Sequence, residues 1–514
     1  MYRILSASSD TYITNKIINN NFRAEDANVG QAGTLDLFKL YEESSFMSGT
    51  TRITGSVVEL SRILVKFNLE PLQKLTSSIL DYSHSSFKCI LRMHDVYGGQ
   101  TTPSNFKIIG FPLSQSFDEG VGRDIVSFSD VDTANFVTAS SAGGSNTLWF
   151  LSGANMQGNL GSDDIDIISS GNLSDGDGLK NLWVSQLFEK GDEDLSLDVT
   201  TIISATLANQ IPDHGFRLSF SGTQETDNRT RFVKRFASRH ANDAYLRPQL
   251  IVKYDDTIID HHRSFFFNTT GSLFLNNFLR GKPTNLLTGT DGKLFGVSGS
   301  NCLVLRISSG TFSTSFTGSQ HSVGSNFLTG VYSASFLLDE FTVTSSLRDE
   351  IKYANSATFS TFWESFDGTI GYYTGSFVAN TIMRTAFDNT TPRLFINITN
   401  LRRQYRRNDK VRLRVFVENI DREIVAKKLP LEAKSEIFTE MFYRVRDYDA
   451  NKVIIPFDTE NNATRLSTDT NGMYFDFYMD SLAKGRTYVF DFLIKDQDTD
   501  QVFTDVAAKF RVET

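Results

Sequence analysis

The chain has 514 residues, 22% charged and 40% hydrophobic, with a formal net charge of −9. That balance excludes a disordered chain and argues against a nucleic-acid role, which needs an excess of basic residues. No run approaches the roughly 18 apolar residues of a membrane-spanning helix, and a chain this long divides into about three domains, each able to bury a core.

Residue usage points to strands. There are 43 Phe against 8 Met and 3 Trp, and Phe suits half-buried pleated surfaces. Cys89 and Cys302 make no disulfide framework and are expected as buried free thiols. The opening Met1-Tyr2-Arg3-Ile4-Leu5-Ser6 has no apolar stretch after its basic residue and does not read as a signal peptide. The expectation is synthesis and folding in a reducing cytoplasm.

In chain order, residues 61–68 form a short apolar run, and residues 87–94 alternate as a half-buried strand does. Residues 139–145 and 162–178, rich in Gly, Ser and Asp, read as loops. One or two helical turns are expected over 199–208. Residues 218–221 and 249–254 read as strands, the last opened by Pro248, where a missing N–H costs least.

Short motifs bracket this half. Asp10-Thr11-Tyr12-Ile13, Asn28-Val29-Gly30 and Arg62-Ile63-Leu64-Val65-Lys66-Phe67 stand near its start. His214-Gly215-Phe216-Arg217-Leu218, Phe236-Ala237-Ser238-Arg239 and Arg247-Pro248-Gln249-Leu250-Ile251-Val252-Lys253-Tyr254 close it. Their order and spacing over residues 1–256 resemble the DNRLRE-type domain, a jelly roll related to carbohydrate-binding modules. The resemblance implies a non-catalytic attachment or packing module. The middle departs from the family pattern, with Trp183 the one tryptophan between residues 150 and 195, ahead of Leu195-Ser196-Leu197-Asp198-Val199-Thr200.

A boundary is expected near Asp255-Asp256. Residues 257–391 carry aromatics flanking small polar residues in Phe312-Ser313-Thr314-Ser315-Phe316, Tyr332-Ser333-Ala334-Ser335-Phe336, Phe359-Ser360-Thr361-Phe362-Trp363 and Tyr372-Tyr373-Thr374-Gly375-Ser376-Phe377. Strands with one buried face and a second antiparallel sandwich follow. Residues 392–514 alternate with period two in 393–398 and 411–417, with further strands at 473–478, 487–492 and 506–512. Asn471-Gly472 and Lys484-Gly485 mark turns, and an immunoglobulin-like sandwich without cysteines is expected. The predicted fold is therefore mainly β, a string of three antiparallel sandwiches.

Candidate chemistry is thin. The histidines make no HExxH pattern, and the adjacent His261 and His262 would point to opposite faces of a strand. There is no GxSxG elbow and no P-loop, and no carboxylate pair stands out for glycoside cleavage. The acidic stretch Asp163, Asp164, Asp166, Asp175 and Asp177 offers the oxygen ligands calcium prefers, without EF-hand spacing; no other cofactor is expected. Arg402, Arg403, Arg406 and Arg407 form the densest charge run. They read either as a solvated turn or as a salt-bridging contact to an acidic neighbouring subunit. Trp149, Trp183 and Trp363 could stack on sugars or fill cores.

Taken together, the chain looks like a non-enzymatic virion structural protein of a tailed bacteriophage, a resemblance of style and domain order. That implies a place in the capsid decoration, neck, tail, baseplate or fibre, with other virion proteins, copies of itself and a host glycan as partners. A host-surface or carbohydrate-binding adhesin is the alternative, and a polysaccharide-degrading enzyme stands third.

Overall fold

The computed structural model describes residues 1–513 other than 20, 49, 77, 97–102, 127–131, 143, 174–177, 263–264, 290–292, 341, 382–391, 422–434, 497–498 and 507–508. The chain is mainly β, 51% strand and 7% helix. It separates into two compact units. The first comprises Arg3–Gln73 and Phe87–Lys253; the second comprises Met1–Tyr2, Lys74–Ser86 and Tyr254–Thr514.

The first unit is built on a ten-stranded sheet. Its path runs Val184–Phe188, Phe106–Pro112, Phe216–Phe220, Thr51–Phe67, Tyr2–Thr14, Gln249–Lys253, Lys88–Met93 and Leu195–Asp198. The long strand Tyr2–Thr14 serves two partners. Its register with Thr51–Phe67 slips between Ala7 and Ser9, where the Ala7 N–H turns to Pro248 O. A bulge of this kind bends a strand and lets one element change neighbours. Period-two burial fixes which face is inside: Phe106 and Ile108 are fully buried while Lys107 between them is exposed. Phe106 stacks on Phe188 at 4.9 Å and meets Phe220 edge-on at 5.4 Å. Burying each such ring contributes about 1.5–3 kcal/mol.

One hairpin outgrows this sheet. Thr34–Ser48 and Thr51–Phe67 pair without interruption from Lys39↔Leu60 to Ser48↔Thr51. The strand Arg231–Ala237 flanks the first of them only as far as Arg231↔Lys39, and Tyr2–Thr14 flanks the second only from Ser61 onward. Beyond those points the hairpin is a two-stranded arm.

The second unit contains a seven-stranded sheet in the order Phe265–Phe266, Gly371–Asn380, Ser356–Ser365, Leu303–Ser309, Phe312–Val323, Asn326–Leu337 and Thr270–Asn276. All four aromatic and small-polar segments lie on its strands, and every pairing is antiparallel except the short Phe265–Phe266 edge. Phe265, Phe336, Phe359 and Phe377 pack ring to ring beneath it. Residues 394–513 contribute a four-stranded and a six-stranded sheet, whose core gathers Tyr443, Phe475, Phe477, Phe490 and Phe510. The segment Lys74–Ser86 braces this unit: Asp81 Oδ2 accepts the Ser325 N–H at 2.7 Å, and Asn326 donates to Thr76 O at 2.9 Å.

Several local expectations are corrected. Residues 139–145 are not a loop but part of the hairpin Thr138–Ala142 and Ser145–Leu148. Within 162–178, Ile167–Asn172 is a strand paired on both sides. In both places tertiary pairing overrides weak β-propensity. The expected short helix forms at Thr200–Leu207. A longer helix, Ser345–Ala354, closes on Asn355 in the left-handed region at φ 55°. Cys89 is a buried free thiol as expected, whereas Cys302 is only half-buried. The expected boundary at Thr391 lies outside the described residues.

Candidate functional site

Three of the six bracketing motifs, those of Asp10, Asn28 and Arg239, meet at one polar hub in the first unit. The Arg239 N–H donates to Asp10 Oδ2 at 2.6 Å, and the Asp10 N–H donates to Glu119 Oε1 at 3.0 Å. The Arg239 guanidinium grips both oxygens of Glu119. Asn28 donates to Glu119 O and Ala134 O and accepts from the Gly30 and Gly122 N–H groups. Ser238 Oγ donates to Ala32 O at 2.5 Å. Burial, reinforced by the Glu119 charge, pushes the Asp10 carboxyl up to about 7, against the opposing pull of Arg239. Apart from Asp10 Oδ1, which is buried without a hydrogen-bond partner, the side chains answer one another and the backbone, so the hub holds distant strands together.

The acidic stretch is divided. Asp166 is buried and turns inward, accepting N–H groups from Phe150, Leu151 and Met156 and the Gln115 amide. Asp163 and Asp164 are exposed, and Asp175 and Asp177 lie outside the described residues. Among the described residues no three His, Cys, Asp or Glu side chains converge as a metal site would require. His261 Nδ1 accepts the Ser272 N–H at 3.0 Å, a local backbone role. Trp149 and Trp363 are buried, Trp149 donating to Asn135 O, whereas Trp183 is 41% exposed.

Arg402, Arg403, Arg406 and Arg407 are all exposed around the short strand Gln404–Arg406. The backbone there is tightly held: Gln404–Arg406 pairs in parallel with Phe510–Glu513, and the Arg402 N–H donates to the Tyr405 hydroxyl at 2.7 Å. Tyr405 is buried edge-on against Phe510. A rigid turn thus displays four guanidinium groups outward, a geometry suited to forked contacts with carboxylates.

Sequence reading missed the next basic series. Lys410, Arg412 and Arg414 share one face of Lys410–Asn419 and lie across from Gly472–Tyr478. Arg412 forks onto Asp476, and Arg414 reaches Asp469 at 2.6 Å. Tyr474 lies under both guanidiniums. Burial resists ionisation of Asp476, but the hydrogen bonds and charge of Arg412 outweigh it and hold the carboxyl below its usual range. The period-two Lys-x-Arg-x-Arg opposite Tyr-x-Asp-x-Tyr was the available signal.

The arm is the other missed feature. Glu42, Glu43, Ser44, Ser45 and Met47 are exposed, as are residues 51–56 on the facing strand. Among the described residues, no strand pairs with the outer edge of 42–48 or of 51–57.

No protein-family model matches the chain, and no curated protein matches it. Among solved structures the chain is similar to dimeric latent PorU from Porphyromonas gingivalis, at 7% identity and a TM-score of 0.14. The match covers 94% of this chain and 34% of that one, so the chain spans about a third of the PorU chain's length.

Proposed function

We propose that this chain is a non-enzymatic structural component of a tailed-phage virion, in the capsid decoration, neck, tail, baseplate or fibre, made in the host cytoplasm and acting through protein–protein assembly. The arm carries this reading. An isolated two-stranded ribbon is marginal in water, and its open edges are templates for another strand. Soluble proteins blunt such edges with charge or proline, yet residues 44–57 contain one charged side chain, Arg52, and no proline. From Glu42 to Ser48 the arm reaches roughly 20 Å at about 3.4 Å per residue. Strand addition to a neighbouring virion protein or another copy of the chain completes it. The outward arginines at 402–407 supply a second, polar contact. Mass spectrometry of density-purified particles tests the proposal. A fixed copy number relative to the major capsid protein is expected, and absence from particles overturns it.

Trp183 favours a second reading, a host-surface or carbohydrate-binding adhesin. A 41% exposed indole is the group that stacks on sugar faces. Glycan-array binding that disappears in Trp183→Ala supports it; an array without signal removes it.

A further inference from the structure

A cavity of about 360 Å3 lies within the second unit, in the size range of small-molecule sites. Its lining is largely apolar, with Ile79, Phe278, Val323, Leu328 and Val331. The charged groups of the lining residues are Lys410, Arg412, Arg465 and the Met1 ammonium against Asp256 and Asp476, four cations to two carboxylates, with Asp256 taken by the Met1 ammonium at 2.6 Å. The pairing is uneven. Arg412 holds Asp476 through both oxygens, at 2.8 and 3.1 Å, and lies 4.1 Å from the centre of the Tyr474 ring. Lys410 reaches the same carboxylate only at 3.6 Å. Arg465 spends its Nε on Thr439 O at 2.8 Å, and its guanidinium meets no carboxylate among the described residues.

We infer that this cavity binds a small amphipathic anion, a medium-chain carboxylate. The carboxylate sits on Arg465 and Lys410, and the hydrocarbon lies against Leu328, Val331 and Phe278. The chemistry follows from the lining. Apolar walls reward a hydrocarbon body in proportion to its area. An incompletely paired guanidinium gains a forked, charge-assisted contact from a carboxylate. Arg412 contributes to the field without being available, because Asp476 and Tyr474 lock it in place.

The test is calorimetric titration of the full chain with decanoate, and with 1-decanol as the uncharged control. Saturable binding of one decanoate per chain is expected, with 1-decanol at least tenfold weaker. Arg465→Gln should weaken decanoate at least tenfold while leaving 1-decanol unchanged. Leu328→Trp, which fills the cavity, should abolish both; if that variant does not fold, Val331→Phe replaces it. No saturable binding by the unaltered chain overturns the inference. So does equal affinity for the alcohol, an Arg465→Gln variant that binds normally, or a filled variant that still binds.

Discussion

Asp10 and Arg239 lie 229 residues apart in the chain and meet through a 2.6 Å hydrogen bond from the Arg239 N–H to the Asp10 carboxylate. Asp10 is fully buried, and burial drives its carboxyl up to about 7. The consequence for stability has a definite sign. An unfolded Asp releases its proton near pH 3.9. The folded chain keeps that proton until about pH 7, so between these values the folded state binds more protons and stability falls as pH rises. At 1.36 kcal/mol per unit the full effect is roughly 4 kcal/mol. Asp10→Asn keeps an acceptor for Arg239 and removes the titration. Its urea midpoint should match the unaltered protein near pH 4 and exceed it increasingly towards pH 8. A difference that does not change with pH would show that Asp10 is ionised in the folded state.

The same hub sets a strict steric limit. A Cβ on Gly30 would stand 1.9 Å from Glu119 O, and one on Gly122 would stand 1.8 Å from Asn28 O. Both obstacles are backbone atoms that cannot swing away. Gly30→Ala and Gly122→Ala should each cost about 3 kcal/mol or more. Gly33, close by in sequence, has no positive φ, and a Cβ added there would meet nothing within 4 Å. Gly33→Ala should be neutral or stabilise by about 0.5 kcal/mol through the unfolded chain. Equilibrium unfolding of the three variants separates crowding from a general intolerance of the segment.

These positions show what the sequence made legible. Asp10, Asn28, Gly30, Ser238 and Arg239 stood out as ordered motifs, and they are the residues that tie the first unit together. Period two placed the strands Leu394–Ile398 and Lys410–Asn419 because one face of each is buried. Harder to read were pairings that depend on a distant partner. The strand Ile167–Asn172 lies in Gly- and Ser-rich sequence and exists because Gln157–Asn159 and Leu179–Asn181 flank it. The helix Ser345–Ala354 carries only two buried residues, Leu347 and Ile351, too narrow a stripe to stand out by periodicity. The arm was invisible because alternation says which face is buried, and among the described side chains of 42–47 and 51–56 none is.

A buried ion pair supplies a second stability test. Lys234 Nζ lies 2.6 Å from Asp95 Oδ1 and also donates to Gly191 O and Glu193 O. Its ammonium sits 5.1 Å from the ring centres of both Phe188 and Phe236. Lys234 is fully buried, so removing its carboxylate partner strands a charge in the interior. Asp95→Ala should cost about 3–5 kcal/mol. Lys234→Met removes the charge itself and leaves Asp95, at the margin of solvent, to hydrate; it should cost less. Chemical denaturation of both variants decides the order, and a larger loss in Lys234→Met would mean that the carbonyl contacts outweigh the ion pair.

The arm makes its own demand. Met47 and Ile53 are 63% and 42% exposed and contribute little to folding, since exposed substitutions usually stay within about 0.5 kcal/mol. Lysine at these positions places charge on residues 44–57 of the ribbon, where Arg52 is the one charged side chain, which is how soluble proteins prevent strand addition. Met47→Lys with Ile53→Lys should therefore leave the melting temperature unchanged and abolish incorporation into particles. Shortening the hairpin by joining Tyr41 to Val58 through a two-residue Asn-Gly turn should do the same by removing the edge altogether. The prediction fails if the arm is not an assembly element. Both would then enter particles at the copy number of the unaltered chain, and the partner contact would have to be sought at the arginines of 402–407, where Arg403→Glu with Arg406→Glu is the corresponding disruption.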